Sequence, residues 1–201
     1  MFLPAALLKA LGLISTRAAK RAFLSYLVGL SRNRVEELAE EFVAKTVPKL
    51  LYPELLQRLE KHRERGDILI LTTASVDLYA GKIASLLGFR YCYSTQVEMT
   101  RTYPLIPKII GLNNKSEAKI AAMKSLLPKE RPVPNSTSYS DSAADLPLLA
   151  LAENGILVNP NRKLAKIGQS KNWETLTPER PWKSEWGRAG HTLMLLLGAK
   201  N

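Results

Sequence analysis

The run DILILTTAS, residues 67–75, constrains the fold more than any other stretch of this chain. It has the length of one strand, carries β-branched residues and is apolar on both faces. A strand with one wet face alternates polar and apolar; a strand apolar on both faces predicts the interior of a parallel sheet covered by helices on either side. The flanks agree. PELLQRLEKHRERG opens with Pro53 in a first helical turn and closes on Gly66. SVDLYAGKIASLLG reads as the next helix, with Ser75 as cap and Gly88 as stop.

The alternation continues downstream. FRYCYSTQVEM is a strand, and residues 100–112, with Pro104 and Pro107, leave room for a short hairpin. NNKSEAKIAAMKSLL is a helix capped by Asn114, with Glu117 completing a capping box. NSTSYSD is a strand, DSAADLPLLALAENG a helix, GILVNP a strand and RKLAKIGQSKNW a helix. No element is legible after Trp173. The first fifty residues read as helices only: one over residues 5–13, one capped by Thr16, and one capped by Ser31 with Val35, Leu38, Ala39, Phe42 and Val43 on a stripe. The prediction is an α/β chain in three parts: a helical subdomain (1–50), a parallel-sheet core (51–173) and a tail without an assigned role (174–201).

Net charge is +11, which favours acidic partners such as phosphorylated metabolites or anionic lipid surfaces. No basic stretch is interleaved with aromatics, so nucleic acid is not expected. One cysteine, Cys92, excludes an internal disulfide and a cysteine-rich zinc site. The two histidines are too few for most histidine-based metal sites, and His62, in a charged helical stretch, reads as a surface residue. MFLPAALLKALGLIS at the start lacks a basic region before its apolar run, is broken by Lys9 and is too short to span a bilayer. TLMLLLGA near the end also falls short; it packs on the body or dips into a membrane interface. A cytoplasmic protein, with peripheral membrane contact as an option, is the expectation.

Ligands of open α/β sheets bind beyond the carboxyl ends of the strands. Three groups fall there. Thr73 follows the apolar run ILIL, where its hydroxyl and the next amides suit a phosphate. Lys115 and Lys119 sit in the first turns of a helix, where a cation opposes the dipole. Asp141 ends a strand and Asp145 lies one turn into the following helix. Magnesium takes few carboxylates and completes its shell with water and phosphate oxygens, which such a pair can serve. The structural alternative is a capping box, Ser142 with Asp145.

Taken in order, ILTTAS, NKSEAKIAAM and YSDSAADLPLL resemble motifs II, III and IV of the haloacid dehalogenase superfamily of hydrolases, nearest to its phosphoserine phosphatase-like branch with a helical cap. The resemblance implies a Rossmann-like core and a magnesium-dependent phosphatase. Substrate phosphate would pass to an enzyme aspartate and then to water. It assigns Thr73 and Lys119 to phosphate binding, Asp141 to the metal, and Asp145 to orienting Lys119 or a metal-bound water. Lys115 is the alternative to Lys119, because KSE also resembles the family's lysine-glycine-glutamate form. Ala144 stands where phosphoserine phosphatases carry asparagine.

One departure is large. The resemblance implies a first, central strand ending in aspartate-x-aspartate-glycine-threonine. The chain has four aspartates, Asp67, Asp77, Asp141 and Asp145, none in the first 66 residues. The strands bearing motifs II and IV are then expected to lack their common neighbour and to expose sticky edges that invite dimerisation. Three accounts are open: a start set too far downstream, a fragment, or a non-catalytic relative that closes its sheet another way. The first two are preferred.

Overall fold

A computed structural model describes residues 21 and 24–181. Helix predictions that fall on residues 1–20, and the apolar run at 192–199, lie outside them. Ser31 caps helix α1 (Arg32–Lys45) as the sequence predicts, its Oγ accepting from Arg34 N at 3.3 Å. Val35, Ala39 and Val43 are buried. Helix α2 (Pro53–Glu64) begins on Pro53, and Gly66 follows it with the positive φ of 76° that a glycine takes without strain.

Strand β1 (Ile70–Val76) leads into α3 (Asp77–Leu86) and β2 (Tyr91–Val97), which pairs in parallel with β1. A two-residue strand β3 (Ile109–Ile110) closes an antiparallel hairpin on β2. Helix α4 (Glu117–Ala122) is short and followed by a 3-10 turn at Lys124–Leu126. The second sheet follows: β4 (Val133–Ser140), α5 (Leu146–Leu151), β5 (Ala152–Val158), α6 (Arg162–Ser170) and β6 (Glu174–Leu176), with its three strands parallel. The strand β6 forms where no element was legible, because three residues with one buried side chain, Leu176, carry too little pattern. The helix expected over DSAADLPLLALAENG is cut short at Leu151, and its last residues already belong to β5.

The architecture is the α/β class predicted, but the sheet is divided. The strand order is β1-β2-β3 in one half and β4-β5-β6 in the other, so β1 and β4 each keep one unpaired edge among the described residues. For β1 this contradicts its sequence: Ile70 and Leu71 are only half-buried, and Ile68 just before them is 61 % exposed. An apolar run built to be covered on both faces stands at an edge.

Each half has its own core. Val76 and Val97 pack with Leu24, Leu27, Val35 and Tyr103, so the helical segment and the first sheet share buried surface; Phe42 and Tyr79 meet edge to face at 5.5 Å. In the second half Leu149, Leu157 and Leu164 pack under Trp173. Gly155 and Gly168 are needed there, since a Cβ on the first would meet the Trp173 ring at 2.8 Å and one on the second would collide with Leu157. Two side-chain bonds tie the halves together: His62 on α2 to Tyr139, the penultimate residue of β4, and Lys119 to Asp145 just past β4.

Candidate active site at the carboxyl ends of beta1 and beta4

Asp145 is the centre of the site. It lies in a 3-10 turn, Ala143–Asp145, that links β4 to α5. Ser142 caps that turn, its Oγ accepting from Ala144 N at 3.2 Å. The capping box does not form, however. The amide of Ser142 donates to Ser140 Oγ at 3.1 Å, and the Asp145 carboxylate points elsewhere. Its Oδ2 accepts from Lys119 Nζ at 2.7 Å and from the Ser140 hydroxyl at 2.8 Å. All three residues are buried, the two charged side chains being 9 % and 10 % exposed. Withdrawing two charges from water is costly unless they pair, and these pair.

Of the two lysines left open by the sequence, Lys119 is thus the one brought to Asp145, while Lys115 is exposed and makes no ion pair among the described residues. Asp141 sits one residue beyond β4, exposed, with no hydrogen bond or ion pair from any described residue. It is a bare carboxylate four residues before the one that pairs with the buried ammonium.

Thr73 lies inside β1 rather than beyond it. The register jumps from Thr72 opposite Tyr93 to Val76 opposite Thr95, so Thr73, Ala74 and Ser75 form a bulge against Ser94. Thr73 Oγ1 accepts from Ser75 N at 3.0 Å, closing the bulge locally. Ser75 is therefore not a helix cap; Val76 precedes α3 with no side-chain cap. No bond joins Thr73 directly to Lys119, Asp141 or Asp145 among the described residues.

The link is Asn114, whose role the sequence did not show. Instead of capping a helix it is 4 % exposed and turned into the sheet. Its Nδ2 donates to Tyr93 O at 2.8 Å, Thr73 O at 3.1 Å and Thr72 Oγ1 at 3.2 Å. Its amide donates to Thr95 Oγ1 at 3.2 Å. Asn114 so clamps the middle of β1 and β2 to the segment that, five residues later, delivers Lys119. Between them Ser116 takes φ 55° and ψ −130°, a conformation suited to glycine. The signal was present: a serine where the family form has glycine.

His62 also departs from expectation. Its side chain is 15 % exposed, with Nδ1 at 2.7 Å from Asp67 Oδ2 and Nε2 at 2.8 Å from Tyr139 Oη. Arg58 forks onto Glu174 at 2.7 and 3.4 Å. Burial pushes the Tyr139 hydroxyl up, against the lowering effect of Arg58; Arg65 and then His62 hold the Asp67 carboxyl below the usual range. This network walls a cavity of about 630 Å³ between α2 and the second sheet. Neither Lys119 nor Asp145 lines the cavity, although its Tyr139 adjoins Ser140 on β4, and Arg58 and Arg65 are paired with Glu174 and Asp67. Cys92 is half-buried with its thiol pushed up by desolvation, as an inert structural cysteine is.

Comparison with known proteins agrees with the fold and motifs. A histidinol-phosphatase of Neisseria meningitidis is 29 % identical over 163 residues, covering 77 % of this chain and 73 % of that protein. A phosphoserine phosphatase of Mycobacterium tuberculosis is 25 % identical over 158 residues, 78 % of this chain but only 51 % of its own length. The chain thus spans about half the length of that relative. A crystal structure of a protein of unknown function from Bordetella pertussis superposes with a TM-score of 0.76 at 23 % identity, over 87 % of this chain and 79 % of that one. The model of haloacid dehalogenase-like hydrolases matches residues 2–150, the span that holds Thr73, Lys119, Asp141 and Asp145, and the chain belongs to that family.

Proposed function

We propose that this chain supplies the phosphate-binding half of a phosphomonoester hydrolase. The observation that carries the reading is the buried Lys119–Asp145 pair, with Asp141, a carboxylate that no described residue neutralises, four residues before Asp145 at the end of β4. Lys119 keeps N–H groups free for phosphoryl oxygens and offsets the charge that develops on them. Asp145, steadied by Ser140, aims that ammonium. The Thr73 oxygen accepts from Ser75 and retains its proton to donate to a phosphoryl oxygen.

Asp141 would hold Mg²⁺, an ion content with one or two carboxylates plus water and phosphate oxygens. Bound there, the ion would supply Lewis-acid polarisation of the phosphoryl group. A lone exposed carboxylate suits such sparse ligation, and among the described residues no group of three or more His, Cys, Asp or Glu offers a denser site.

In this reading the nucleophile is a carboxylate on a parallel strand seated between β1 and β4. The chain's own aspartates are engaged otherwise: Asp67 with Arg65 and His62 below β1, Asp77 with Val97 N, Asp145 with Lys119. The carboxylate attacks phosphorus, the alcohol of the ester departs, and water cleaves the aspartyl-phosphate to release inorganic phosphate. Residues before 51 act as a cap over the site. The substrate is a small phosphate monoester, the class named for both relatives; Ala144 gives no reason to single out phosphoserine. The lone Cys92 suits a reducing, cytoplasmic setting.

Calorimetric titration with orthophosphate tests the binding half. Phosphate binds in the presence of MgCl₂, and Lys119→Met or Asp141→Asn weakens it by about tenfold or more. Wild-type chain that ignores phosphate, or variants that bind as well, would sink the proposal. The divided sheet favours a second reading, a phosphate-binding domain without turnover; hydrolysis by the chain joined to a nucleophile strand separates the two.

A further inference from the structure

Nine large hydrophobic side chains are exposed among the described residues, and four of them fall within eight positions: Leu105, Ile106, Ile110 and Leu112. They are 68 %, 63 %, 51 % and 71 % exposed. Scattered exposed aliphatics need no explanation, but a contiguous group does. The divided sheet does not supply one. It accounts for Ile68 beside the free edge of β1, whereas β3 lies at the opposite edge of that half.

The patch is built rather than frayed. Tyr103, Pro107 and Ile109 point inward, each 2 % exposed or less, and fix which neighbours point out. Tyr103 exchanges backbone bonds with the helical segment, its N to Leu30 O at 2.8 Å and its O from Gly29 N at 2.9 Å. Glu98 N bonds Lys108 O at 2.8 Å across the hairpin. Pro104 and Pro107 stiffen the turn between them. The hairpin therefore presents four aliphatic side chains on a braced support.

Charge identifies the occupant. Residues 99–115 carry Arg101, Lys108 and Lys115, all exposed, and no acidic residue; Glu98 across the hairpin meets Lys108 at 3.5 Å in an exposed pair and leaves the face net positive. The chain as a whole is at +11. Pairing two copies through this face would bring like charges together. An anionic bilayer surface satisfies both features at once: aliphatic side chains enter the acyl boundary while cations meet headgroups, the two-signal arrangement that gives stable peripheral binding. We propose that the 105–112 hairpin docks this protein on an anionic lipid surface. The same segment runs on through Asn114 to Lys119, so docking orients the carboxyl ends of β1 and β4 relative to that surface. The proposal does not depend on hydrolytic activity.

Co-sedimentation with vesicles tests it. The full chain binds vesicles of phosphatidylcholine mixed with phosphatidylglycerol, and binds pure phosphatidylcholine far less. Leu105→Ser/Ile106→Ser lowers the partition coefficient roughly tenfold or more, since two aliphatic side chains leave the acyl boundary. Arg101→Glu/Lys108→Glu lowers it comparably and flattens its salt dependence. Leu86→Ser, at an exposed aliphatic position on α3, leaves binding unchanged. All variants are checked for an unaltered melting transition. Equal binding to both vesicle types, or binding untouched by either hairpin variant, overturns the proposal. So does a lipid-free dimer, seen by sedimentation velocity, that Leu105→Ser/Ile106→Ser dissociates while vesicles bind nothing; the patch is then a protein interface.

Discussion

Replacing Lys119 by methionine removes one member of a pair held at 2.7 Å with both side chains about nine-tenths covered. At an effective dielectric of about 20 the attraction alone is on the order of 6 kcal/mol, a sum that desolvation of two ions largely cancels in the intact protein. Removing one partner undoes the cancellation. Asp145 keeps only the Ser140 hydroxyl, so Lys119→Met should cost about 3 kcal/mol, the lower end for a broken buried pair. Asp145→Leu strands the ammonium instead and costs about the same. The double variant buries neither charge and should lie within about 1 kcal/mol of the wild type. Urea unfolding followed by tryptophan fluorescence reads this, with Trp173 lodged against the second core. A 3 kcal/mol loss lowers the urea midpoint by about 1.5 M for a slope near 2 kcal/mol/M. Additivity of the single variants within about 0.5 kcal/mol would refute the reasoning, because it would mean that the two groups do not share one desolvated contact.

Three further outcomes follow from the same geometry. Asn114→Ala removes an amide whose two N–H groups are shared among three acceptors in β1 and β2 and should cost about 2–3 kcal/mol in urea, with phosphate affinity falling in parallel since Lys119 loses its tether. Ser116→Gly relieves a positive-φ serine and should raise stability by about 1 kcal/mol, read as a higher midpoint at unchanged slope. Asp77 is pushed above its ordinary value of 3.8, first by desolvation, with the Val97 amide opposing. Its folded pKa exceeds its unfolded one, so ionisation penalises the fold; the penalty is absent below the unfolded pKa and complete once pH has risen past the folded one. Asp77→Asn, which still accepts from Val97, should therefore melt higher than the wild type at neutral pH and the same near pH 3; a gain of equal size at both would contradict the assignment.

Much of this was legible because single residues with strong local physics announced it. Ser31, Pro53 and Gly66 set helix ends by hydrogen bonding, ring geometry and backbone freedom, and they stand where the structure has them. The strand β1 was legible from its apolar run, and the gap beside it from the family resemblance, whose first, central strand has no counterpart in the chain. What the sequence hid depends on contacts between distant positions. Local pattern alone leaves open whether Asp145 closes a capping box or reaches Lys119; the family resemblance implied Lys119 or a metal-bound water, and the position of α4 decides for Lys119. Asn114 reads as a helix cap because asparagine suits one, yet its amide finds three acceptors in two strands. The bulge at Thr73 arises because four residues of β1 span two of β2, a register fact invisible in either strand alone. His62 looked like a surface histidine until Tyr139, 77 positions away, covered it.

The central claim is that Lys119, Asp145, Thr73 and Asp141 form a half-site completed by a carboxylate on a strand between β1 and β4. The direct measurement is Mg²⁺-dependent phosphate release from p-nitrophenyl phosphate by this chain preceded, in one polypeptide, by an apolar strand ending in aspartate-x-aspartate-glycine-threonine. The account predicts release by that protein, none by the chain alone, and none when the first of those aspartates becomes asparagine or Lys119 becomes methionine. A cooperatively folded extended protein that releases no phosphate, or equal release by the chain alone, would contradict it.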